Sequence, residues 1–108
     1  MKTFLALYMG APNPTMPDPA TIGKGMAAWT QWMTDHAASV VVQGGPLGKT
    51  KKAAKDGITD IRNECGGFTV VQAEHHAAAA AMFENHPHFS IFPGDRVEVM
   101  EIMPIPTM

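Results

Sequence analysis

The residues of this chain best able to do chemistry are two histidines two positions apart, His86 and His88, flanking Pro87. Proline bars the residue before it from the helical region. In extended backbone, residues two apart point to the same side, so the spacing predicts two imidazoles on one rim. Imidazoles titrate close to neutrality, which suits a general acid or base. A second chemistry is open to them, because two such histidines are two of the three protein ligands a catalytic zinc needs, with Asp95 as candidate third. In the plainest alternative, His86 closes a helix whose C-terminal dipole favours a cation, and His88 is a loop residue.

The remaining reactive side chains are less well arranged. His75 and His76 are consecutive on a helix and diverge by about 100°, so they are poor co-ligands on a solvated face. Trp29 and Trp32 diverge by about 60° on one helix; at least one must face a sheet, and Trp29 packs in the core or forms the wall of an apolar cleft. Cys65 is the only cysteine, which excludes an internal disulfide and a thiolate zinc site. No basic neighbour activates it. The run Gly44 to Thr50 imitates a phosphate-binding loop. It fails because Gln43 stands where the first glycine belongs and Asp56-Gly57 breaks the helix that should follow.

The elements that position these residues follow from local patterns. Phe4 to Met9 is apolar on both sides and reads as a strand covered on two faces. Four prolines between Ala11 and Pro19 make a stiff loop, and Asp18 with Pro19 forms a helix start. From Ala20 to Ala38, the residues Ile22, Met26, Trp29, Met33 and Ala37 form one stripe of an amphipathic helix. Ser39 to Gln43 is a buried strand ended by Gly44-Gly45-Pro46. Thr50 to Ala54 and Ile58 to Arg62 flank Asp56-Gly57 as a type I′ hairpin. Phe68 to Ala73 is a strand, Glu74 to Asn85 an alanine-rich helix, and Arg96 to Met103 the last strand.

This order, strand, helix, strand, hairpin, strand, helix, strand, is met most simply by a single α+β domain over 1–108. Its expected arrangement is a ferredoxin-like βαββαβ sheet with an extra hairpin between the second and third main strands. One edge of that sheet then gathers Tyr8, Asp18, Gly44 to Gly48, Gly66, Gly67, His86, His88, Asp95 and Arg96, while His36, His75 and His76 fall at the other. Both helices lie on one face. The bare apolar face opposite predicts a homodimer packed sheet against sheet.

Composition sets the outer bounds. The 108 residues are 45% hydrophobic and 17% charged, with a formal charge of −2. No basic field exists to recruit nucleic acid or anionic lipid, and no apolar run is long enough to span a membrane. The N-terminal apolar run, too short for a signal peptide, reads as a strand instead, and the lone cysteine fits a cytoplasmic setting.

Several pieces together are similar to the YCII-related family. They are the Phe4-Leu5-Ala6-Leu7-Tyr8 opening, the tryptophans at 29 and 32, Gly44-Gly45-Pro46-Leu47, Gly66-Gly67-Phe68, His86-Pro87-His88-Phe89 and Val97-Glu98-Val99. The resemblance implies a dimeric α+β barrel of ferredoxin-like subunits. It implies too an architecture shared with small lyases, isomerases and monooxygenases acting on aromatic or lactone compounds. The family's helix-one histidine paired with aspartate does not carry over, since Trp29 and Trp32 occupy that part of the helix and His36 lies near its far end. Asp60-Ile61-Arg62-Asn63 stands where a related branch has Asp-Gly-Pro-Phe. The expected activity is therefore a lyase or isomerase needing no cofactor and no metal. A small organic substrate would lie between Tyr8, Trp29, Gly44, Gly45 and Asp95, with His86 or His88 moving the proton. The alternative is a non-catalytic dimeric domain that binds a small molecule or another protein.

Overall fold

The computed structural model describes residues 1–10 and 15–106; positions 11–14 of the proline-rich loop lie outside the described residues. Strand β1 (Lys2–Gly10) occupies the middle of a four-stranded sheet ordered β2-β5-β1-β6, in which every neighbour is antiparallel. Its other members are β2 (Val40–Pro46), β5 (Cys65–Ala73) and β6 (Gly94–Glu101). Helix α1 (Pro19–Asp35) crosses from β1 to β2, and α2 (His76–Ala81) with the single turn α3 (Pro87–Ser90) crosses from β5 to β6. Between β2 and β5 a separate hairpin of β3 (Thr50–Ala54) and β4 (Gly57–Ile61) makes no extensive contact with any other element.

Strand alternation sorts the sheet into two unlike faces. Phe4, Ala6 and Tyr8 of β1 and Thr69, Val71 and Ala73 of β5 point to the helices and are buried, against Trp32 of α1, Ala79 of α2 and Phe83. Between them Leu5, Leu7, Met9 and Val70 point the other way and are only half-buried, beside the exposed Val42 and Met100. The molecule measures 50 × 37 × 18 Å. Its smallest extent has room for one layer of helices on one sheet.

The local signals at the start of α1 operate as expected: Asp18 accepts from the Thr21 N–H at 2.7 Å, and Pro19 occupies the first helical position. Four expectations need correction. Helix α1 ends at Asp35, with His36 as C-cap, and its buried residues are Gly25 and Trp32, so the inward face is rotated from the expected stripe, of which Trp29 and Met33 still pack against the core while Met26 and Ala37 are exposed. Met26 is 58% exposed. Trp32 goes inward because its indole N–H donates to the Met82 carbonyl at 2.8 Å while the ring stacks on His36 and packs at a tilt on Phe83.

Strand β2 is an edge strand and largely exposed, not buried; Val41 and Val42 face solvent across a register that shifts twice. Only six residues of the alanine-rich segment form α2. Its end is fixed by the Trp32 bond to Met82 and by Asn85 at φ 54°, a left-handed conformation asparagine tolerates. In the hairpin, Ala54 pairs with Gly57 across Lys55-Asp56, and the positive φ belongs to Gly57 alone, so the turn is not type I′.

Candidate functional site: an aromatic cleft between helix α1 and the sheet

A cavity of about 570 Å³ opens between α1 and the β2–β5 side of the sheet. That is within the range of small-molecule sites. Helix α1 supplies Met26, Trp29, Thr30 and Met33; β2 supplies Gln43 to Pro46; Tyr8, Thr69, His88 and Phe92 close the inner end. Each wall depends on a local feature of the sequence. Gly44 adopts φ 72°, and a Cβ there would collide with the Phe68 carbonyl, so only glycine lets the β2 bulge lie this close to β5. Phe92 reaches the helix because Gly25 has no side chain: a Cβ would stand 2.5 Å from the Phe92 ring.

The polar groups of the inner end form an ordered chain. Thr69 Oγ1 donates to the Gln43 carbonyl at 3.1 Å, which spends its only proton. The 2.7 Å bond between Tyr8 and Thr69 therefore has the phenol donating, and Tyr8 Oη offers its lone pairs to the cleft. Burial raises the Tyr8 pKa above the usual phenol value, with the Thr69 bond opposing, so the group stays protonated. His88 is treated in the same way by the fold. Its Nε2 stands 2.7 Å from the Met9 carbonyl, which can only accept, so Nε2 carries the hydrogen and the neutral ring keeps Nδ1 as a base. Gly94 packs against the Cε1–Nε2 edge of that ring so closely that a Cβ would collide with it.

The predicted site residues divide into two groups. Tyr8, Trp29, Gly44, Gly45 and His88 do line one cleft, with Tyr8 4.9 Å from Trp29 and 5.4 Å from His88 between ring centroids. His86 does not share their rim. It is fully buried behind Tyr8 and Trp29, edge-on to Trp29 at 4.6 Å, and also packed on Trp32 and Phe83. Pro87 opens a helical turn in place of extended chain, and His86 caps that turn: its Nδ1 accepts from the His88 N–H at 3.0 Å. The hydrogen then resides on Nε2, which is buried with no hydrogen-bond partner. Burial foremost, then repulsion from His88 and His36, pushes the His86 pKa down to about 4.

Asp95 lies away from the cleft, beside a shallower depression with Phe83 and Glu84. It is held by Arg96, whose guanidinium also binds Glu98 and Glu64. With Asp95 engaged there and His86 Nδ1 occupied, the three zinc candidates do not converge, and no three His, Cys, Asp or Glu side chains among the described residues form a metal-binding group. His75 is the N-cap of α2, and His76 reaches the Val99 carbonyl at 2.7 Å, so both serve the fold.

Thr69, Thr30, Phe92 and Gly94 were not expected at the site. Only the alternation of β5 could have pointed to Thr69, two residues from Gly67 on the face shared with Tyr8. Phe92 and Gly94 carry no signal before the α3 turn is known.

Among known proteins, no family profile matches the chain and no curated protein matches it. The solved structure of 5-chloro-2-hydroxyhydroquinone dehydrochlorinase (TftG) from Burkholderia phenoliruptrix AC1100, in complex with 2,5-dihydroxybenzoquinone, is similar in fold. Its TM-score is 0.59 at 18% sequence identity, over 94% of this chain and 93% of that one. The shared architecture is a small α+β fold. Among the described residues no helix is long and apolar enough to cross a membrane.

Proposed function

We propose that this chain is a lyase or isomerase of the YCII-related type, acting without a cofactor on a small aromatic or lactone-like compound in the cleft of Tyr8, Trp29 and His88. One observation carries the reading: His88, the one imidazole in the cleft wall among the described residues, is held by the Met9 carbonyl in the tautomer whose Nδ1 is unprotonated. In an isomerase reaction His88 Nδ1 takes a proton from one atom of the substrate and returns it to another. In a lyase reaction it takes the proton while the released C–H electrons form a double bond and the leaving group departs with its own bonding pair, so in neither case is an external oxidant or reductant needed. Trp29 and Phe92 hold the ring, and Tyr8 Oη accepts a hydrogen bond from it. His86 has a positioning role, since its Nδ1 orders the backbone that carries His88. The TftG complex with a dihydroxybenzoquinone adds support of the same kind, from a protein with a similar fold.

The subunit in this proposal is ferredoxin-like, as the strand order and the split β-α-β connections suggest, and it works as a cytoplasmic homodimer. The half-buried Leu5, Leu7, Met9 and Val70 on the sheet face without helices favour that assembly.

The test is proton exchange. A hydroxylated aromatic or lactone panel is incubated with the protein in D2O, and deuterium incorporation is followed by NMR. His88→Ala is expected to slow exchange by about a hundredfold or more, while His86→Asn, which can still cap α3, retains it. Exchange that is absent in the native protein, or unchanged in His88→Ala, rules the catalytic reading out. A non-catalytic binding domain is the second reading. It is favoured by the partner of His88 Nε2, a backbone carbonyl and not a carboxylate, which leaves the imidazolium without a fixed counter-charge.

A further inference from the structure

The cleft has a hydrogen-bond polarity that the fold fixes in advance. Its three hydroxyls spend their protons on the protein: Thr30 on the Met26 carbonyl at 3.0 Å, Thr69 on the Gln43 carbonyl, and Tyr8 on Thr69. His88 spends its ring hydrogen on the Met9 carbonyl. What Tyr8, Thr30 and His88 have left for a ligand is lone pairs, while Thr69 is fully buried. Donor capacity in the lining side chains rests with the Trp29 indole and the Gln43 amide, and among the described residues no lysine, arginine, aspartate or glutamate lines the cavity. A carboxylate or phosphate placed here would face acceptors with no cation to neutralise it, at the cost of its desolvation.

We infer that the cleft selects an uncharged, planar ring compound that enters as a hydrogen-bond donor, a polyhydroxylated aromatic whose hydroxyls give their hydrogens to Tyr8 Oη and His88 Nδ1. The inference rests on the reading of the cleft as a small-molecule site and goes further, because it names what the molecule must carry. Tyr8 and His88 stand 5.4 Å apart between ring centroids, and 4.9 and 6.2 Å from Trp29, so two hydroxyls on one ring can reach both. Thr69 determines the specificity without needing to touch the ligand. Its buried hydroxyl takes the Tyr8 proton, and so decides which way the phenol is polarised.

The experiment compares resorcinol, 1,3-dimethoxybenzene and benzoate by saturation-transfer NMR titration against the full chain. Resorcinol is expected to bind, with the dimethyl ether weaker by about tenfold for each donor lost and benzoate not detected. Tyr8→Phe should cost resorcinol about tenfold and leave the ether unchanged. Thr69→Val, close in shape, returns the phenol proton to the cleft and should shift preference toward the ether. Trp29→Ala, with Met33→Phe as a second variant that fills the cleft instead of emptying it, shows whether the signal comes from this site. If resorcinol and the ether bind equally and both are lost in these two variants, the site binds small molecules but the donor rule is overturned. If no probe responds to either variant, the rule and the small-molecule reading fall together.

Discussion

His86 and His88 are two residues apart, yet their environments separate their chemistry. His86 is fully buried among Tyr8, Trp29, Trp32 and Phe83, and its pKa is pushed down to about 4 from the ordinary 6.5. Between these values the unfolded chain binds the proton and the folded chain does not. Stability is therefore complete above pH 6.5 and falls as the pH drops toward 4, by up to about 2 to 3 kcal/mol from this group. Chemical denaturation from pH 7 to 4 should show a steeper loss for the native protein than for His86→Asn. Equal slopes would mean that His86 is solvated. Gly94 gives a second residue-scale expectation. The Cβ of Gly94→Ala must displace the His88 ring or backbone, so the variant should lose about 1 to 3 kcal/mol in a thermal melt and slow proton exchange as His88→Ala does. The identity and proximity of the histidine pair were legible in the sequence. Their division into a buried cap and a cleft base was not, because Pro87 can either extend the chain or open a turn.

At the scale of elements, α1 shows where periodicity misled. The stripe of Ile22, Met26, Trp29, Met33 and Ala37 has helical spacing, but the buried face centres on Gly25 and Trp32. A large indole with a bond to Met82 outweighs two methionines that are more useful as cleft wall. Trp32→Ala is accordingly expected to cost about 3 to 5 kcal/mol, and Met26→Ala, at an exposed site, within about 0.5 kcal/mol. Urea titration of the two variants checks the order. The hairpin of β3 and β4 is the opposite case. Its two strands were placed to within one residue from the sequence, because their pairing is local, although the turn between them is Lys55-Asp56 and not type I′. Replacing 50–61 with a short Gly-Ser link should leave the melting temperature of the body nearly unchanged, since the arm packs on no other element extensively and its Lys51–Asp60 pair is exposed.

The whole molecule is more open than its length requires. Its radius of gyration is 15.6 Å, against about 13 Å for a compact domain of this size. The excess comes from the projecting hairpin and from a sheet with one bare face. The proposed homodimer predicts a two-chain species in sedimentation at micromolar concentration and its dissociation in Val70→Lys, which puts a charge in the middle of that face; a monomer in the native protein would dismiss it. The sequence by itself determined the order of the sheet strands, the start of α1, the presence of the hairpin and the gathering of Tyr8, Trp29, Gly44, Gly45 and His88 at one end, but not that β2 runs on through Gly44 to Pro46. Those depend on alternation, capping and chain direction, which are local or follow from strand order. Only the tertiary structure decided which face of α1 turns inward, that β2 lies at an edge, that His86 is buried while Asp95 is tied to Arg96, and which way each proton in the cleft points. These depend on contacts between residues far apart in the chain, such as Tyr8 with Thr69, Trp32 with Met82 and His88 with Met9, and no local pattern encodes which distant carbonyl a donor will find.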